Sequence, residues 1–145
     1  MPIRTAEAEW NGSIRDGRGT LKVGSKAFET PYDFPSRFES GTATNPEELI
    51  GAAHAGCFSM ALSAALGRQN FQPQRIQTRA EVALEKAGEG FRISWVHLHT
   101  EGVVPGISPE QFARVADDAK ANCPVSKALA GVEIRLTANL VNERR

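Results

Sequence analysis

Thiols are scarce in this sequence: two cysteines, Cys57 and Cys123, stand among 145 residues. So few, so far apart, exclude the disulfide framework of a small secreted domain. Histidine is nearly as rare, with three in all, and no CxxC, HxxxH or HExxH spacing is present, so no zinc motif can be read. Charge of one sign in excess is missing too. The 17 basic and 17 acidic residues cancel, which argues against a nucleic-acid surface or a strong pull toward anionic membranes. No run approaches the ~20 apolar residues of a membrane span. The opening MPIRTAEAEW lacks the apolar stretch of a secretory signal, so the expected location is the cytoplasm. There, thiols are free, catalytic or redox-active more often than structural.

What is present is the composition of an ordinary globular protein, 41% hydrophobic and 23% charged, sized for a single domain over 1–145 with one core. TAEAEW and TLKVGSKAFET read as short strands around turn signals at Asn11-Gly12 and Gly24-Ser25. PYDFPSRFESGTAT reads as an ordered loop whose Tyr32, Phe34 and Phe38 line something. A helix follows, with Asn45 as N-cap, Pro46 at its first position, Glu48 completing a capping box and Gly67 closing it. Its apolar residues lie nearly all round, which predicts burial by a sheet on one side and by a partner subunit on the other. RIQTRAEVALEK and GFRISWVHLHTEGVV alternate as an antiparallel pair joined at Ala87–Gly90. In the second of these, His97 and His99 share one face opposite Val96 and Leu98. That pair is compatible with a two-histidine metal site, although a polar, solvent-facing strand surface is the preferred reading. A second helix opens at Ser108-Pro109, Cys123-Pro124 begins a short third one, and VEIRLTANLV is the last strand. Glu143-Arg144-Arg145 reads as a solvated end. The order of elements is α+β.

A cysteine reacts as its thiolate, so a reactive one needs a reason for a lowered pKa. Cys123 has a local reason, since Pro124 places it at a helix entrance where amide hydrogens are unpaired. Cys57 lies about three turns inside its helix and needs a cation from elsewhere. A guanidinium about 4 Å away at an effective dielectric near 20 supplies about 4 kcal/mol, or at most roughly three pKa units. Arg37, between aromatics just ahead of the helix, is the candidate, and Glu47 the anion that would hold it. The bland alternatives are a surface arginine, a carboxylate at a helix N-terminus and a small core cysteine.

NPEELIGAAHAGCFSMALS and NCPVSKAL resemble the two cysteine motifs of the osmotically inducible protein C / organic hydroperoxide resistance family, in the same order and closer to the osmotically inducible branch. The resemblance spans nearly the whole chain. It implies antiparallel sheets packed around a buried central helix in an intertwined homodimer. It also implies a thiol peroxidase that reduces organic hydroperoxides without metal or other cofactor. In that scheme Cys57 is the peroxidatic thiol, Cys123 the resolving thiol, Arg37 the activating cation and Glu47 its partner. The other branch takes its arginine from an early Gly-rich loop, where this chain offers Arg15 and Arg18. A lipoyl-type or other dithiol would be the reductant, and Phe34, Phe38, Phe58 and Met60 would form an apolar mouth for the substrate. Three other readings compete: a thioredoxin-like enzyme, which would begin βαβ; a non-catalytic dimer binding an apolar ligand; and a structural disulfide, worth roughly 4 kcal/mol by loop entropy.

Overall fold

The computed structural model describes residues 1–142; the solvated end expected at Glu143–Arg145 lies outside the described residues. The fold is α+β, and the chain divides into two compact units, Met1–Leu49 and a second from Ile50 onward.

In the first unit, β1 (Ala6–Asn11), β2 (Arg18–Val23) and β3 (Glu29–Tyr32) form an antiparallel sheet in that order. Gly12 takes the expected turn with φ of +99°, a conformation that side chains with a Cβ disfavour. The stretch expected to be a loop contains a one-turn helix, α1 (Phe34–Phe38). The cause is local: Asp33 Oδ1 accepts the Ser36 N–H at 2.9 Å, and Pro35 presets helical φ in the first turn. An antiparallel start of this kind is not the βαβ opening of a thioredoxin-like chain.

The division between the units falls inside α2 (Pro46–Arg68). Asn45 caps it, its Oδ1 accepting the Glu48 N–H at 2.7 Å. The Glu48 carboxylate does not complete the box; it accepts from the Thr44 hydroxyl at 2.8 Å. At the other end Gly67 remains helical and Asn70 takes the left-handed position, with φ of +67°. The Phe71 N–H reaches Leu66 O at 2.9 Å and the Asn70 N–H reaches Gly67 O at 3.0 Å, the two bonds of a Schellman closure. Contrary to the sequence reading, α2 is long and apolar enough, by length and composition, to cross a membrane. A third of that apolar window is buried inside the protein.

In the second unit β4 (Arg75–Ala87) and β5 (Gly90–Val103) pair antiparallel, and β6 (Glu133–Leu140) adds to β5 in parallel. The parallel partner requires a crossover, which α3 (Pro109–Asn122) and α4 (Pro124–Ala128) provide. Ser108 caps α3 by accepting the Gln111 N–H at 3.1 Å. The core gathers Phe58, Leu62, Ala65 and Leu66 of α2, Val96 and Leu98 of β5, and Phe112, Val115, Ala116 and Ala119 of α3. Thus α2 buries the stripe Gly51, His54, Phe58, Leu62, Ala65 at helical spacing, while Ala52, Ala53, Gly56, Met60 and Ala64 remain exposed. Within this one chain, the burial expected on all sides is one-sided.

Candidate active site

Two pairs of predicted site residues meet, one in each unit. In the first unit, Arg37 on α1 faces Glu47 in the first turn of α2. Asn45 ties these elements by donating to Ser36 O at 2.8 Å, and Ser36 Oγ accepts the Ala43 N–H at 2.8 Å. Arg37 then grips the carboxylate with both edges of its fork: Nε to Oε1 at 3.2 Å and Nη2 to Oε2 at 3.1 Å. The Glu47 side chain is 9% exposed and that of Arg37 38% exposed. A carboxylate so buried needs a partner of this kind, and bidentate guanidinium is the strongest available. Aromatic rings flank the arginine. Arg37 lies 5.2 Å from the centre of the Phe38 ring, and Phe38 packs on Phe34 at 4.9 Å. Arg15 lies over Phe34 at 4.7 Å, so one of the two alternative arginines shares this cluster without sharing the carboxylate.

In the second unit, Cys57 and Cys123, 66 residues apart in sequence, bring their sulfurs to 2.9 Å. Both are free thiols. Cys123 ends α3 and opens α4 with extended backbone, φ −62° and ψ 127°. Pro124 dictates this conformation, since it disfavours helix in the residue before it. Cys123 is completely buried, whereas Cys57 keeps partial exposure. At this separation the two thiols titrate as a unit. Burial pushes the Cys57 thiol up, and its hydrogen bond to Cys123 adds to this, against a small opposing effect from the Val125 N–H. Burial also raises Cys123, but the bond from Cys57, the Ser126 N–H and hydroxyl, and the Val125 N–H together hold it below the ordinary thiol range.

Two residues that the sequence reading passed over complete this site. His54 lies one turn before Cys57, and Ser126 one turn after Cys123. The His54 Nε2 meets Ser126 Oγ at 2.8 Å, with His54 wholly buried. This bond is a second side-chain tie between α2 and the Cys123–α4 segment, besides the sulfur pair. Among the described residues the buried His54 Nδ1 has no hydrogen-bond partner, and burial holds the imidazole below its ordinary pKa, which favours the neutral form. Their three-residue spacings, His54 to Cys57 and Cys123 to Ser126, are the only trace of them in the sequence, and spacing alone did not single them out.

The four residues expected at a substrate mouth are placed differently. Phe34 and Phe38 belong to the aromatic cluster of the first unit. Phe58 is 0% exposed and packs in the core, because it falls on the buried stripe of α2; it presents nothing to solvent. Met60 lies on the opposite side of the same helix, 77% exposed.

Comparison with known proteins agrees with this architecture. The family model described as "OsmC-like protein" matches residues 39–137, a span that includes both cysteines. The peroxiredoxin OsmC of Escherichia coli strain K12 is 48% identical over 127 residues, covering 87% of this chain and 89% of that protein. The organic hydroperoxide resistance protein of Xanthomonas axonopodis pv. citri is 30% identical, over 93% of this chain and 94% of its own. Among solved structures, an organic hydroperoxide resistance protein OsmC from Legionella pneumophila superposes with TM-score 0.74 at 25% identity, covering 97% of this chain and 100% of its own. Bacillus subtilis OhrB gives 0.72 at 26%, covering 94% and 98%. This chain belongs to the OsmC/Ohr family, on its OsmC branch.

Proposed function

We propose that this protein is a cysteine-based peroxidase that reduces organic hydroperoxides to alcohols. The single observation that carries the reading is the approach of two free thiols to 2.9 Å, one reachable and one buried. A disulfide needs its sulfurs at about 2.05 Å, so a small side-chain adjustment is all that separates the pair from the bond. The names of the bacterial relatives, a peroxiredoxin and a hydroperoxide resistance protein, support a peroxide-related role.

The steps follow from thiol chemistry. As a hydroperoxide reaches Cys57, the Cys57 thiol gives its proton to solvent and the thiolate forms. The Cys57 sulfur attacks the outer oxygen of ROOH; the O–O bond breaks, and the departing alkoxide takes a proton from solvent to become ROH. Cys57 is left as a sulfenic acid. Cys123 then attacks that sulfur, its proton leaves with the hydroxyl as water, and a Cys57–Cys123 disulfide remains. An external dithiol of the lipoyl class reduces it and is itself oxidised to a disulfide. Arg37, held by Glu47, is the cation proposed to favour thiolate on Cys57 and to offset charge developing on the peroxide oxygens. The working form is a homodimer in the cytoplasm.

The test is a thiol count after one equivalent of tert-butyl hydroperoxide. Wild type is expected to lose both thiols to an intramolecular disulfide, Cys57→Ser none, and Cys123→Ser to stop at a sulfenic acid that dimedone traps. Survival of both wild-type thiols sinks the reading and leaves a dimer binding an apolar ligand.

A further inference from the structure

The outer face of the second sheet carries a cluster that the thiol chemistry does not use. The pleat sends Val96, Leu98 and Thr100 of β5 inward, where each is essentially buried, and turns His97 and His99 outward. Cross-strand register places Glu81 of β4 directly opposite His97. Its carboxylate turns diagonally to the other histidine, Oε1 lying 2.8 Å from His99 Nε2. The two imidazoles stack at 3.9 Å between ring centres, 20° from parallel. Beyond them on β6, the Thr137 hydroxyl meets His97 Nε2 at 2.8 Å. One donor atom from each of Glu81, His97 and His99 falls within 4.8 Å of the other two, and all three residues are half-buried.

We propose that Glu81, His97 and His99 form a binding site for a divalent ion of the zinc, nickel or copper class. Two imidazole nitrogens and one carboxylate oxygen suit these borderline metals; magnesium and calcium ask for oxygen donors throughout. Bonds near 2.1 Å at tetrahedral angles put donors roughly 3.4 Å apart. The cluster must therefore contract by roughly 1.4 Å at most, which turning rings and carboxylate about their broad terminal torsions achieves without moving the strands. A buried core on the inner face makes the strands a rigid platform. Thr137 supplies the outer hydrogen bond that commonly orients a ligating imidazole. Three protein donors leave one coordination position for water or a ligand, as in open rather than structural zinc sites. The chief competitor is internal: Arg79 Nη1 lies 3.5 Å from Glu81 Oε2 and must release it. On the other flank Arg135 is already engaged by Glu133 and by the Trp95 ring. The site lies outside the sheet, and the thiols pack with the core on its inner side, so the proposal does not rest on the peroxidase reading.

The probe is zinc chloride, titrated calorimetrically into the untagged protein and into a Cys57→Ser/Cys123→Ser variant that removes the thiols as rival ligands. One ion per chain is expected in both. His97→Ala and His99→Ala should each weaken it by at least the roughly 10- to 100-fold typical of losing an outer-shell partner. Arg79→Gln should tighten it. With the native sequence, imidazole NMR signals of His97 and His99 should move on adding zinc while buried His54 stays still, a readout independent of any variant's folding. Absence of binding in the thiol-free protein, equal affinity in the His97→Ala/His99→Ala double variant, or a zinc-dependent shift confined to His54 overturns the proposal.

Discussion

At the scale of single residues, the Arg37–Glu47 pair is asymmetric: the carboxylate is buried and the guanidinium partly solvated. Removing the arginine strands a charge in the interior, whereas removing the glutamate leaves an arginine that water can reach. Arg37→Ala should therefore cost about 2–3 kcal/mol, somewhat below the roughly 3–5 kcal/mol of a fully buried pair, and Glu47→Ala clearly less. Urea unfolding of both variants measures the difference; equal losses would mean that the carboxylate is solvated after all. His54 carries a pH effect of known sign. Burial lowers its folded pKa, so the unfolded chain binds the proton more readily. The contribution of neutral His54 is whole above its ordinary pKa of about 6.5 and declines as pH falls below that. Wild type should lose more thermal stability between pH 7.5 and pH 5.5 than His54→Gln, which cannot titrate. Parallel losses in the two proteins would place the acid sensitivity elsewhere.

At the scale of elements, the thiol pair depends on how α4 is seated on α2, and the buried His54–Ser126 bond is the second tie between them. Ser126→Ala removes the one hydrogen-bond partner that His54 has among the described residues, leaving both ring nitrogens without a bond there. That should cost about 1–3 kcal/mol and slow disulfide formation after a peroxide pulse, with Cys57 oxidation itself little changed. Stopped-flow thiol and sulfenic-acid measurements separate the two steps; an unaltered second step would reduce Ser126 to packing. Much of this element structure was legible in the sequence, because its causes are local. Asn45-Pro46 and Ser108-Pro109 announce helix starts, Cys123-Pro124 forces a break, and two-residue alternation marks β4 and β5. What was not legible has non-local causes. The parallel seating of β6 depends on the crossover through α3 and α4. Met60 and Phe58 are both apolar, yet their two positions on α2 separate surface from core once the sheet picks a side. Glu81 joins the histidines only through cross-strand register, 18 residues away from His99. The one-turn helix α1 is local, but its signal, Asp33-Phe34-Pro35-Ser36, also fits a turn.

At the scale of the whole molecule, the exposed stripe of α2 is the feature a lone chain leaves unexplained. Ala52, Ala53, Gly56, Met60 and Ala64 recur at helical spacing on the solvent side, and Met60 alone is 77% exposed. Small residues let a second backbone come near, and one methionine supplies an adaptable contact at the centre. The formal net charge of zero puts no long-range repulsion between copies. The proposed homodimer would cover this stripe, and charge placed at its centre should undo it. Met60→Glu is expected to shift the protein from dimer to monomer in sedimentation equilibrium at micromolar concentration, since an unpaired carboxylate in an apolar contact has no compensating partner. Ile14→Glu, which alters another exposed apolar residue, should leave the dimer intact. If wild type sediments as a monomer, the dimer is wrong and the stripe is simply surface. If both variants dissociate, the contact lies beyond α2 as well. A dimer lost in Met60→Glu alone, together with a slower reaction with cumene hydroperoxide, would tie assembly to peroxide reduction, because the same helix that self-associates carries Cys57 one turn before Met60.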